Sequence, residues 1–113
     1  MNSVFVEKLL VAAPQFQGAY EQHLAMNDEL LPHVFMGDVT REVIAACHDR
    51  SELLRLKALM VFFEEQLKSG DAEARELIGA SFCENVADDQ RALKVLSPLM
   101  GPMLRQFVAK MQS

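Results

Sequence analysis

Residues 51–70, SELLRLKALMVFFEEQLKSG, constrain the fold most strongly, because apolar residues recur there every three or four positions. At about 100° per residue, one face of a helix collects the large apolar side chains of this stretch. These are Leu56, Leu59, Met60, Phe63 and Leu67. Ser51 is placed to cap the start of this helix, and Gly70 is placed to cap its end. We therefore predict that this segment is the central helix.

Proline, glycine and capping residues divide the rest of the chain into further short helices. With the central helix as the fourth, six segments are predicted. The first covers about residues 3–12, the second runs from Pro14 or Gln15 to the polar MNDE, the third covers 32–48 and the fifth covers 71–87. The sixth begins at Asp88 or Asp89, is interrupted at Ser97-Pro98 and restarts at Pro102. No stretch alternates with the period of two that a strand requires. The sequence predicts an all-α fold, a compact bundle of about six short helices forming a single domain over residues 1–113.

Composition narrows the possible partners. The chain has 113 residues, half of them apolar, and 11 basic against 16 acidic residues give a net charge of -5. This charge disfavours nucleic acid and favours a basic partner. No run of about 18 uncharged apolar residues and no signal peptide is found, so we expect a cytoplasmic protein with no membrane association. Cys47 and Cys83 lie in helical patterns and are expected to be reduced, buried thiols.

The third segment carries the main candidate surface. Its core face is predicted to comprise Phe35, Met36, Val39, Val43, Ala46 and Cys47. Asp38 lies outside that arc, where it is either a solvated carboxylate paired with Arg41 or part of a partner-binding face. The residues assigned to this partner-binding face are Val34, Gly37, Asp38, Arg41 and Glu42.

The glycines in the middle of predicted helices have two possible explanations. Gly18, Gly37 and Gly79 all fall within predicted helices, where glycine costs about 1 kcal/mol relative to alanine. Close approach by a neighbouring backbone would explain this cost. The neighbour is either another helix of the same bundle or a partner protein.

A second candidate set consists of polar residues near the core. Glu64 is expected to pair with Lys68, one turn later on the central helix. Asn85 is predicted to project into the apolar arc of the fifth helix, with Ser81 and Glu84 close by. A buried asparagine needs partners, so Ser81 and Asn85 either tie this helix to a neighbour or line a small polar pocket with Glu64 and Glu84.

Catalytic and metal sites have little support. His23 lies on an apolar face and is expected to be a hydrogen-bonded core residue, while His33 and His48 lie at opposite ends of one helix. No HxxxH, ExxH or CxxC spacing occurs, and no nucleophile or phosphate-binding loop is identified. We expect no metal, no cofactor and no enzymatic activity.

Four segments carry a family resemblance: LPHVFMGDVTR (31–41), VFFEEQL (61–67), FCENVADD (82–89) and LMGP (99–102). In this order and spacing they resemble a group of small all-helical bacterial proteins, many of which look like immunity proteins. The resemblance implies synthesis beside a polymorphic or secreted toxin and neutralisation of that toxin by tight binding. It implies no catalytic residue, and it singles out Asp38, Glu64 and Glu84, each as a binding or a structural acid.

Two functions follow as expectations. The first is a protein-binding module, an immunity protein whose partner is a basic toxin domain. The alternative is a structural or regulatory helical protein acting as a homo-oligomer. The size of the protein in solution separates the two, because a monomer with an exposed apolar and acidic patch favours a foreign partner.

Overall fold

The computed structural model describes residues 2–112, which form seven helices and no strand. The helices are α1 (Val4–Ala12), α2 (Gln17–Asn27), α3 (Pro32–Ala46), α4 (Leu53–Lys68), α5 (72–87), α6 (Gln90–Leu96) and α7 (Pro102–Gln112). The all-α prediction is confirmed over these residues. The predicted domain, 1–113, also includes Met1 and Ser113, which lie outside the described residues.

Local signals in the sequence set several helix ends. Ser3, Asp71 and Asp89 each accept a backbone N–H in the first turn of α1, α5 and α6. Gly70 follows α4 with a positive φ of 76°, a conformation that glycine adopts without strain. Ser51 is not the cap of α4, because Asp49 caps a short 3-10 turn (Arg50–Glu52) that precedes it. These caps satisfy N–H groups that a helix cannot pair internally.

The count differs from the prediction because the sixth segment forms two helices. Pro98 lies in a 3-10 turn (Ser97–Leu99) after α6, and Met100 is extended. Pro102 then opens α7 as its first residue. A proline lacks the N–H that would continue α6, so the chain changes direction between two separate helices.

The central helix is confirmed. On α4 all five predicted apolar residues are buried, and Phe63 is completely inaccessible. The Phe63 ring lies 4.8 Å from the ring of Phe82 and 6.3 Å from that of Phe5, centroid to centroid. α4 packs against α1, α6, α7 and the start of α5. It therefore joins the two ends of the chain in one core.

Helix α5 contains an unexpected π-helical segment. Ala72–Glu76 and Glu84–Ala87 are α-helical, whereas Leu77–Cys83 is π-helical. In a π-helix each N–H bonds five residues back, so successive side chains rotate by less than in an α-helix. The segment is buried around much of its circumference, at Leu77, Ile78, Ser81, Phe82 and Cys83. This segment packs mainly against α3.

Helix α3 lies between α2 and α5. Most of its predicted core face is buried, including Phe35, Met36, Val39 and Val43, while Ala46 and Cys47 are half-buried. The opposite side of α3 remains open to solvent. Within residues 2–112, no helix is both long enough and apolar enough to cross a membrane.

Candidate functional site

A buried histidine holds α2 and α3 together. His23 is 2% exposed, and its Nε2 accepts a hydrogen bond of 2.9 Å from the backbone N–H of Leu31. Its ring lies 5.8 Å from that of Phe35, and Tyr20 meets the same ring edge-on at 5.6 Å. The prediction of a hydrogen-bonded core histidine is confirmed. His23 thus fixes the angle at which the chain turns from α2 into α3.

This turn leaves an open groove between α2 and α3, which we call the first groove. It has a volume of about 580 Å³. Its walls are formed by Ala19, Gln22, His23, Met26, Asn27, Val34, Asp38, Arg41, Glu42 and Ala45. Val34 and Met26 expose 50% and 76% of their surface, so the groove presents apolar side chains to solvent. Four of the five predicted partner-binding residues, Val34, Asp38, Arg41 and Glu42, line it.

Gly37 lines a different depression, the second groove, on the other side of α3. This groove has a volume of about 290 Å³ and is also lined by Thr40, Arg41, Ile44, Asn85, Asp88 and Asp89. Arg41 is the only predicted partner-binding residue that lines both of these grooves. The outer side of α3 is therefore a ridge between two depressions, which we call the α3 ridge.

The helical glycines have different surroundings. A Cβ placed on Gly37 would meet only Arg41 Nη1, at 3.7 Å, so no neighbouring helix requires glycine there. A Cβ on Gly79 would contact the Phe107 ring at 3.5 Å, and one on Gly18 would meet nothing within 4 Å. Gly79 is therefore packed against α7 within the bundle, but at an ordinary contact distance, and the expected close approach of a neighbouring backbone is found at none of these three glycines. The bare backbone at Gly37 is left on the surface.

Acidic groups dominate the α3 ridge. Asp38 forms an ion pair with Arg41, as predicted, and one third of the Asp38 side chain remains exposed. Burial raises the pKa of Glu42 above its ordinary value, and repulsion from the Asp38 carboxylate raises it further. The ridge thus holds two neighbouring carboxylates, of which Asp38 is paired with Arg41 and Glu42 is not in an ion pair with that arginine.

Of the two alternatives for Ser81 and Asn85, the small polar pocket is not formed, and Ser81 instead links α5 to α3 through His33. Ser81 is buried and its Oγ lies 3.0 Å from His33 Nδ1, but Glu84 and Asn85 are exposed. The π-helical turns before Asn85 rotate it out of the apolar arc in which a uniform α-helix would place it. Its Nδ2 donates instead to the Ser81 carbonyl oxygen. The expectation that Asn85 is buried was wrong for this reason.

Glu64 has a structural role, which is one of the two roles that the family resemblance implied for it, but the sequence did not indicate its partners. Its two carboxylate oxygens accept hydrogen bonds from the backbone N–H groups of Met103 (3.1 Å) and Leu104 (2.9 Å). It therefore caps α7 from α4, and the predicted pair with Lys68 was wrong. A Cβ on Gly101 would lie 2.4 Å from Glu64 Cδ, so glycine is needed for this approach.

A similar carboxylate cap joins the other end of the chain. Glu73 Oε1 on α5 accepts a hydrogen bond of 3.2 Å from the Phe5 N–H in the first turn of α1.

Sequence reasoning also missed Gln22 and Met26 as residues of the first groove. The available signal was their position on the α2 stripe that includes Ala19 and His23, at helical spacing.

The two thiols differ in burial. Cys83 is inaccessible, and burial raises the pKa of its thiol to about 12. Cys47 is half-buried, and burial together with the nearby Asp89 carboxylate raises the pKa of its thiol. The expectation of two buried thiols therefore holds fully for Cys83 only.

Among residues 2–112, no group of three or more His, Cys, Asp or Glu side chains is arranged to hold a metal ion.

Comparison with known proteins gives one match. The model of a family described as "Domain of unknown function (DUF7674)" matches residues 6–113. No curated protein and no solved structure matches the chain.

Proposed function

The chain belongs to the family described as "Domain of unknown function (DUF7674)", and we propose that it is a protein-binding module whose α3 ridge receives a basic partner. One observation carries this proposal. The first groove combines exposed apolar side chains, Val34 and Met26, with the carboxylates of Asp38 and Glu42 in about 580 Å³. Exposed apolar area rimmed by polar groups is typical of interaction sites.

Charge supports a basic partner. Burial and, to a smaller extent, repulsion from Asp38 raise the pKa of Glu42, and a lysine or arginine placed beside both carboxylates would oppose both effects. The partner's cation lowers that pKa, so binding releases protons. The complex therefore strengthens as the pH rises through the raised pKa of Glu42 and weakens as the pH falls below it.

The absence of a side chain at Gly37 favours a partner with a helical or flat surface. Its lack of a side chain lowers the ridge between the two grooves, and only Arg41 lies near the missing Cβ. A partner backbone can approach α3 closely there. Arg41, whose side chain is 73% exposed, borders both grooves and is placed to contact the partner on either side.

The finer proposal concerns the identity of the partner. The resemblance to immunity proteins favours a basic toxin domain, encoded by an adjacent gene and neutralised by tight binding in the cytoplasm of the producing cell. This role is non-catalytic and requires no cofactor. The net charge of -5 supports association with a basic domain at high rates.

Calorimetric titration against the product of the adjacent gene tests the proposal. Asp38→Arg should weaken binding by about 2–5 kcal/mol if the pair it breaks is buried in the complex. Gly37→Leu should weaken binding by steric exclusion. Neither should unfold the protein, because an exposed ion pair contributes below about 1 kcal/mol and leucine favours helix.

Glu76→Arg is the matched control, since Glu76 is an exposed acid on α5 and lines neither groove. It changes the net charge as Asp38→Arg does and should leave the affinity nearly unchanged. Unchanged affinity in both α3 variants would remove the ridge from the site. An equal loss of affinity with Glu76→Arg would show that the effect arises from the overall charge and not from the ridge.

A further inference from the structure

The exposed large apolar side chains fall mainly on two helix pairs. Met26 and Val34 line the first groove, and Met111 lies on α7. Five others belong to α1 and α4: Val4, Val11, Leu53, Leu54 and Val61. Val11 and Leu54 are each 84% exposed, so they contribute almost nothing to the core. The surface made by these two helices is therefore a second apolar region, separate from the α3 ridge.

These side chains form two adjacent ridges. On α1, Val4, Lys8 and Val11 recur at helical spacing on the side opposite the buried Val6 and Leu9. On α4, Leu54, Val61 and Glu65 do the same. The helices pack together, with the Phe5 and Phe62 rings 5.8 Å apart. We call this surface the α1–α4 face.

A shallow groove joins the two ridges. Its volume is about 430 Å³, and it is lined by Glu7, Lys8, Val11 and Ala12 from α1 and by Phe62, Glu65 and Gln66 from α4. An apolar ridge from another molecule can lie in this groove. The α1 ridge carries Val4 and Val11 on either side of Lys8, so a second copy can place Val11 against the apolar lining of this groove and Lys8 against its acids.

The charges of the face are mixed, in contrast to the rest of the chain. Its exposed charged side chains are Glu7, Lys8, Lys57, Glu65 and Lys68. Three bases and two acids give this region a slight positive charge in a protein of net charge -5. Within the groove the acids Glu7 and Glu65 outnumber Lys8, whereas Lys57 and Lys68 lie elsewhere on α4, so the face offers both signs of charge.

A second copy of the chain fits this pattern. In a two-fold arrangement the same patch is present on both molecules, so each can place its acids against bases of the other. We propose that the α1–α4 face is the interface of a homodimer. The grooves beside α3 are lined by α2, α3 and residues 85–89. The dimer therefore leaves both α3 ridges open, and one dimer binds two partners.

Sedimentation equilibrium of the purified chain over a wide concentration range tests the dimer. The wild-type protein should show twice the chain mass at high concentration. Val11→Glu and Val61→Glu should each raise the dimer dissociation constant by about a hundredfold or more, since a charge is buried without a partner. Both positions are exposed in the single chain, so thermal melts of the diluted variants should match wild type.

Val34→Glu is the control, because it adds the same charge at an exposed valine on α3 and should leave the dimer intact. A wild-type protein that keeps the single-chain mass at every concentration would overturn the proposal. So would dimerisation that Val61→Glu leaves unchanged, or that Val34→Glu weakens equally. These outcomes concern self-association alone, and the proposed function stands or falls by the separate titration against the partner.

Discussion

The carboxylate cap of Glu64 predicts a specific pattern of stability changes. Glu64 is only 6% exposed and accepts two backbone N–H groups of α7. A hydrogen bond to a charged group contributes roughly 1.5–3 kcal/mol. Glu64→Ala removes both bonds and should therefore lower the free energy of unfolding by roughly 3–6 kcal/mol. That is a large share of the about 5–15 kcal/mol that stabilises a domain.

Gly101→Ala tests the same contact from the other side. Its Cβ would lie 2.4 Å from Glu64 Cδ, and the glutamate is held by its two hydrogen bonds, so it cannot move away freely. We expect a loss of about 1–3 kcal/mol, as for other overpacked sites. In the double variant Glu64→Ala/Gly101→Ala the clash is absent. The two losses should then be less than additive, with a coupling of roughly 0.5–3 kcal/mol.

Urea denaturation followed by circular dichroism measures these changes. Gly37→Ala is the matched control, because its Cβ meets only Arg41 at 3.7 Å and alanine favours helix by about 1 kcal/mol. This control should be as stable as wild type or more stable. A Gly101→Ala variant that behaves like the control, or additive losses in the double variant, would refute the proposed cap.

Further predictions concern the core and the thiols. Phe63→Ala should cost about 3–5 kcal/mol in chemical denaturation, because Phe63 is fully buried at the centre of the aromatic cluster, and a loss below about 1 kcal/mol would contradict this packing. His23→Leu should lower the free energy of unfolding by about 1–3 kcal/mol, because it leaves the Leu31 N–H unpaired. His23→Gln can accept that hydrogen bond and should lose less. Thermal melts with the same midpoint for both variants would contradict the role of His23. The pKa of Cys83 is raised in the folded state from 9.0 to about 12, so its contribution to stability is complete below pH 9.0 and declines as the pH rises toward 12. The stability difference between wild type and Cys83→Ala should therefore shrink above pH 9.0, and a constant difference would contradict the assigned shift.

The features predicted from sequence are those with local causes. The helix starts near residues 3, 71 and 88–89 were predicted because a capping side chain bonds to an N–H only three positions later, and the structure selects Asp89 over Asp88. The buried face of α4 follows from regular helical periodicity. Asp38 and Arg41 lie one turn apart, and their ion pair was predicted on that ground.

The features that were missed depend on distant residues or on irregular geometry. Glu64 and Leu104 are 40 positions apart, and nothing local indicates that α7 begins beside α4. Asn85 was misplaced because a π-helical segment breaks the periodicity on which the angle was calculated. The α2 wall of the first groove arises from the turn that His23 fixes, so the groove became visible only in three dimensions.

Amide hydrogen exchange of the protein with and without the product of the adjacent gene tests the central claim most directly. If the α3 ridge binds a basic partner, exchange should slow in peptides covering residues 19–27 and 34–45, which line the first groove. Exchange in peptides that cover α1 should be unchanged by that partner. Protection confined to α1 and α4, or tight binding with no protection along α2 and α3, would contradict the account.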